Sequence, residues 1–224
     1  VAGGKGGVGK TVVTAAMGVG LASMGKDVTL VDGDFAGANL HTVLGVGEPP
    51  VTFFDFYSLQ KDSLNDIILD TPVENLSFIS GACGTLGIAN PKYFQKMRFI
   101  RELKKVDTDM VILDLGAGSS FNVIDFFILA DEKIVVTTPE PTAIQEAFGF
   151  IKVCLLRELM RGLKKHEAAL LILKTNELNK PGKMQLTMAE ILKRISVIDD
   201  KAHEIARDIL TRFRPKLILN MISG

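Results

Sequence analysis

The stretch GGKGGVGKT, residues 3–11, constrains this chain more than any other segment. It fits the phosphate-binding template G-x-x-x-x-G-K-[ST], with Gly4, Gly9, Lys10 and Thr11 at the fixed positions. Glycines tolerate positive φ and allow close approach, so the backbone of Gly4, Gly6, Gly7, Val8 and Gly9 can curl with its amides turned inward. A helix opening at Thr11 and Val12 sets its positive end beside the anion. Lys10 then reaches the terminal phosphates, and the Thr11 hydroxyl ligates Mg²⁺. A loop of this kind joins a strand to a helix, which commits the chain to an α/β fold. A second lysine, Lys5, stands inside the loop where the template asks for none; on its own it adds positive charge to the site.

The hydrophobic pattern agrees with that commitment. Residues 11–24 carry no charge and read as a helix packed on a sheet, closed by Gly25 in the left-handed cap position. Residues 27–31, 110–113 and 133–137 read as buried strands, with helices over 92–105, 121–130 and 141–163. A short helix is expected at 53–59, extended pieces near 67–69 and 76–79, and a last strand ending in LILN at 217–220. Short apolar strands alternating with helices specify a doubly wound, mainly parallel sheet flanked by helices, with ligands at the carboxyl ends of the strands. Residues 166–215 are less regular and read as a partly helical insertion. It comprises a strand at 168–174, a polar turn at 176–183 around Pro181 and Gly182, and amphipathic helices at 184–198 and 201–213. The whole, 1–224, is expected to be one domain. Only Val1 and Ala2 precede the loop and an apolar run closes the sequence, so it is expected to be cut at both ends.

Twenty-six basic residues balance twenty-six acidic ones, so no global field draws the chain to nucleic acid or anionic lipid. Cys83 and Cys154 form no C-x-x-C pair, which suits a reducing cytoplasm and argues against a disulfide framework. Cys83 reads as a loop thiol and Cys154 as a small core residue. No apolar run reaches the length of a membrane span, and no signal peptide is expected. His41, His166 and His203 lack metal-ligand spacing. Arg157, Arg161, Lys164 and Lys165 end a long helix and read as a solvated face complementing its dipole; DNA, lipid or an acidic partner is the alternative. Phe53, Phe54 and Phe56 are expected to pack a short helix, with Phe126 and Phe127 at core positions.

Three further segments bear on chemistry. MVILDLGAG, residues 110–118, has the form of a Walker B strand: Asp114 meets the Mg²⁺ shell through water, and Gly116 offers its amide to a γ-phosphate. VDGDFAGANL, residues 31–40, places Asp32 and Asp34 after a strand, a spacing that by itself only favours a turn. In TTPEPTAIQEAF, residues 137–148, Pro141 suits a helix start, and Glu140 and Glu146 read as complements to that helix amino terminus.

The pattern K-G-G-x-G-K-T resembles the deviant Walker A loop of the MinD/ParA family of P-loop ATPases. DLGAGSSFNVIDFFILAD followed by VVTTPEPTAIQEAFGFIK looks most like the MinD-like flagellar-number regulators, FlhG and FleN. The resemblance implies a Mg²⁺-dependent ATPase that dimerises when ATP-bound and is reset by a protein partner that stimulates hydrolysis. Lys5 then reaches the partner subunit's phosphates, Asp34 orients the attacking water, Asp32 joins Thr11 and Asp114 around Mg²⁺, and Asn220 contacts the adenine. It further implies a cytoplasmic protein with peripheral membrane contact through a carboxyl-terminal helix that lies outside this sequence. A DNA-segregation ATPase of the ParA type is the alternative, and an iron–sulfur carrier ATPase a further one that lacks its C-x-x-C pair here.

Overall fold

The structure, a computed structural model, describes residues 1–34, 37–81, 93–177 and 187–222. Its centre is β1 (Val28–Gly33), which pairs in parallel with β3 (Leu76–Ile79) on one side and β4 (Met110–Leu115) on the other. Burial at Val28 to Asp32 is complete, as expected for a β-branched central strand covered on both faces. β2 (Ile68–Asp70) adds to β3 antiparallel at the edge, giving the order β2-β3-β1-β4. β5 (Ile134–Thr137) and β6 (Lys216–Leu219) form a parallel pair.

Residues 1–3 join the two groups. The Val1 nitrogen donates to the Leu113 carbonyl at 2.7 Å, and Val1 O accepts from Leu115. On the other side Ala2 exchanges backbone bonds with Ile134 and Val136, and bridges Ala2–Val135 and Gly3–Ala117 complete the seam. The opening residues therefore sit in a strand position between β4 and β5, and the phosphate-loop segment leaves from the carboxyl edge of a continuous sheet.

Helix α1 (Lys10–Ser23) follows at once, packed so closely on β1 that a Cβ at Gly18 would stand 2.8 Å from Leu30. It ends as expected at Gly25, φ +79°. Short α2 (Leu40–Val43) and α3 (Phe53–Tyr57) lead to β2; α4 (Tyr93–Leu103) precedes β4, and α5 (Phe121–Leu129) precedes β5. Phe53, Phe56, Phe126 and Phe127 are all buried, with Phe99 edge-on to both Phe53 and Phe126. Cys154 is a fully buried core residue whose thiol is pushed up to about 12 by burial. Cys83 lies outside the described residues.

Long α6 (Pro141–Gly162) starts with proline in its first turn and spans two cores. Its first two thirds, through Ala147, Phe150 and Cys154, close the main core against the sheet; its end, through Leu156 and Leu159, joins a separate core with α7 (Glu167–Glu177), α8 (Met188–Ile198) and α9 (Asp200–Arg212). Two expectations change here. The strand expected at 168–174 is helix α7: Ala, Leu and Lys favour helix over strand, and Ala169 and Leu173, four apart, bury together against the other helices. The turn expected at 176–183 begins inside α7, and residues 178–186 lie outside the described ones. The basic face also loses a member, because Arg157 turns inward: its Nε donates to Asp125 at 3.1 Å, and its guanidinium lies 5.3 Å from the Phe121 ring. Asp125 is paired as well with Lys96 of α4, so three helices meet on one buried carboxylate.

Candidate functional site: the phosphate loop and two strand-end acids

The loop is held open by contacts that a side chain would block. A Cβ on Gly4 would come within 2.4 Å of the backbone of Glu146 in α6, and Gly9 turns into α1 at φ +87°. Gly6 and Gly7 are exposed at the loop crest, while Val8 is buried against Val136 and Ala143. Lys10 folds back under the crest, nearly buried, with Nζ 3.4 Å from the Lys5 carbonyl. Burial lowers its pKa, while the charges of Asp114 and Asp34 act the other way. An ammonium confined between a polar loop and two carboxylates is suited to a polyanion. Val12 lies in the first turn of α1, with its side chain largely exposed.

Two acids sit opposite the loop. The β1–β4 register pairs Asp32 with Asp114, so both carboxylates leave the sheet side by side, each 1% exposed. Asp32 accepts the backbone N–H groups of Asp34 (3.2 Å) and Leu40 (3.0 Å). Burial nevertheless pushes its pKa up to about 7, with Asp114 adding to the rise. Burial also raises Asp114, against hydrogen bonds from Thr11 and Thr14; the Thr14 Oγ1 bond measures 3.2 Å. Neither carboxylate has an ion-pair partner among the described residues. Buried carboxylates whose charged form desolvation disfavours gain from a cation, and as hard oxygen donors Thr11, Asp32 and Asp114 are the residues that would hold Mg²⁺. Among the described residues no cluster of three or more His, Cys, Asp or Glu could cage a metal unaided. Phosphate oxygens and water would therefore complete such a shell, as Mg²⁺ prefers.

Asp34 closes the site. Its Oδ1 accepts from Gly37 N at 3.1 Å, and a Cβ at Gly116 would stand 3.1 Å from the same oxygen. The two loops expected to respond to nucleotide thus touch through Asp34 and Gly116; Phe35 and Ala36 lie outside the described residues. Lys5 points elsewhere: its Nζ lies 2.7 Å from Glu140 Oε2 and 3.3 Å from Thr142 Oγ1. Glu140 sits at the N-cap of α6, at the helix amino terminus as expected; it makes no side-chain capping bond, and its carboxylate also pairs with Lys5. Asn220 follows β6, and its side-chain amide donates to Val8 O at 3.0 Å.

Sequence reasoning missed Thr14, Thr142 and the Leu40 amide. Thr14 had a signal, since it lies three residues after Thr11 and so on the same helix face. The others had none, because only folding brings them in.

A phosphate loop, a Walker B strand and a mostly parallel sheet flanked by helices define a P-loop nucleotide-binding fold. Known proteins agree with that class. The family model for the CobQ/CobB/MinD/ParA nucleotide binding domain matches residues 1–223, so the chain belongs to that family. The antiactivator FleN of Pseudomonas aeruginosa is 32% identical over 155 residues, covering 68% of this chain and 54% of FleN. The septum site-determining protein MinD of Synechocystis is 34% identical over 148 residues, 66% of this chain and 55% of that protein. The structure of MinD from Pyrococcus horikoshii, complexed with Mg-ADP, superposes with a TM-score of 0.57 at 31% identity, covering 68% of this chain and 60% of that one. The chain spans a little over half the length of these curated relatives. No helix among the described residues is long and apolar enough to cross a membrane.

Proposed function

We propose that the chain is the nucleotide-binding core of a Mg²⁺-dependent ATPase that works as a dimerising switch of the MinD and FleN kind. The observation that carries this reading is the convergence of Lys10, Asp34 and Asp114, together with a lysine, Lys5, that does not join them. In-line attack on a γ-phosphate needs amides and an ammonium on the phosphates and a carboxylate to hold the water. Gly4 to Thr11 and Val12 supply the first, Lys10 the second and Asp34 the third. Thr11, Asp32 and Asp114 would hold Mg²⁺, which would supply neutralisation of phosphate charge. Gly116, where a side chain would crowd the Asp34 carboxylate, would sense the γ-phosphate and pass its presence to Asp34.

Lys5 rests on Glu140 at the surface, and such a solvent-exposed pair breaks easily. We assign Lys5 to the nucleotide of a second copy, which makes the assembled site depend on ATP. A partner protein that stimulates turnover and a peripheral membrane surface, on the cytoplasmic side, complete the cycle in this reading. The DNA-binding alternative has less to stand on, since Arg157 is committed to Asp125.

Light scattering with ATP, ADP and no nucleotide tests the proposal. Asp34→Ala should accumulate as an ATP-bound dimer, and Lys5→Ala should remain monomeric with little turnover. A Lys5→Ala protein that dimerises and hydrolyses like the parent would sink the two-subunit mechanism while leaving nucleotide binding intact.

A further inference from the structure

The geometry points to Asn220 as a positioning residue that clamps the phosphate loop from the far end of the chain, acting through the Val8 carbonyl. This rests on the nucleotide reading above and deepens it. The loop leaves the sheet at Gly3, where it is tied by the bridge to Ala117 and by the Gly118 N–H on the Gly3 carbonyl at 3.3 Å. Between there and α1 it must hold a curved shape with Gly7 and Gly9 both at positive φ. Its return end needs a second tie, and the only side chain among the described residues that hydrogen-bonds the backbone of Gly6 to Gly9 is that of Asn220, 212 positions away, on Val8 O.

The placement of Asn220 is itself over-determined. Its backbone N–H donates to Thr137 O at 2.8 Å, extending the β5–β6 ladder by one rung. Met221, next in sequence, adopts φ +57°, unfavourable for a non-glycine residue and found where surroundings impose it. The fit against the loop is close: a Cβ on Gly9 would lie 2.3 Å from Asn220 Nδ2, so glycine at 9 makes room for the amide as well as for the turn. The carbonyl of Val8 is oriented by this bond, and the peptide planes that follow it carry the Gly9 and Lys10 amides. Fixing one plane therefore preorganises the amides beside it.

A base contact and a loop clamp make different predictions for a ligand without a base. The experiment measures affinity for ATP and for inorganic tripolyphosphate, each with Mg²⁺, by calorimetry on the full chain. Asn220→Ala and Asn220→Leu are compared with the parent; leucine keeps the side-chain volume and removes the donor. The clamp predicts that both variants weaken tripolyphosphate as well as ATP, by about tenfold, the effect of one well-placed hydrogen bond. Hydrogen exchange in the ligand-free proteins should quicken at residues 4–9 and stay unchanged in α8 and α9. A loss confined to ATP identifies a base contact and overturns the clamp, as does unchanged affinity for both. If the parent binds neither ligand, the nucleotide reading fails, and exchange at residues 4–9 still decides the clamp: no change between parent and variants overturns it.

Discussion

The phosphate-loop half of the molecule and the helical block α7–α9 share one helix, α6, but are held by different physics. In the helical block the polar contacts that cap the helices stay within the block. Thr187 and Glu190 form a reciprocal capping box at the start of α8, and Asp199 caps α9 through Ala202 N at 2.9 Å while also accepting from His166. Its core is Leu, Ile and Ala at helical spacing. In the site half, the commitments are distant and incomplete: Asp32 and Asp114 are buried without a direct ion pair among the described residues, and Lys10 is buried among carbonyls and acids. One region sits with each group near its preferred state. The other holds groups away from theirs, which is what a site poised for a charged ligand requires.

That contrast can be broken first in the helical core. Leu173→Ala removes a fully buried side chain and should cost about 3 kcal/mol of stability. If the two cores are energetically separate, nucleotide affinity measured below the melting transition should stay within about twofold. A large loss of affinity would mean that α6 transmits packing from one region to the other.

Gly4→Ala attacks the opposite side. The new Cβ meets rigid backbone at 2.4 Å, so the loop must move and nucleotide binding should weaken about a hundredfold, by a cost of the overpacking kind. Hydrogen exchange in α8 and α9 should not respond; if it does, the loop and the block are one cooperative unit.

Asp32 sharpens the contrast through pH. Its folded pKa, about 7, lies above the ordinary carboxylate value, so the folded state retains a proton that the unfolded chain gives up. That contribution is fully present below about pH 4 and is lost as pH rises through 7. Each tenfold difference in proton affinity between the folded and unfolded chain is worth about 1.4 kcal/mol, so even part of this displacement gives a measurable slope. Melting temperatures of the metal-free protein should fall between about pH 4 and 7, and Asp32→Asn should flatten that fall. An unchanged slope would show that Asp32 is not held against its charge.

The smallest effect belongs to local capping. Thr187→Ala should cost about 1 kcal/mol and leave nucleotide binding untouched. Any shift in binding would deny that the block's polar contacts are local.

Much of the site was readable because its chemistry is encoded in short spacings. Gly4, Gly9, Lys10 and Thr11 lie in one loop, and Asp32 and Asp114 each end a strand that β-branched and apolar residues announce. What could not be read was pairing between segments. The β1–β4 register that sets Asp32 beside Asp114, the Glu140 carboxylate on Lys5 and the reach of Asn220 to Val8 join residues 82, 135 and 212 positions apart. The one element misread, α7, failed for a related reason: a short apolar run suits a strand or a buried helix, and burial partners choose between them.

The sequence by itself determined the α/β class, the phosphate loop, and the acids and lysines available to it, because local backbone preference and hydrophobic period act over a few residues. Only the tertiary structure decided which charges lie buried together, where Lys5 rests and what secures the loop's far end. Those depend on strand order and register, which bring distant parts of the chain within hydrogen-bond reach.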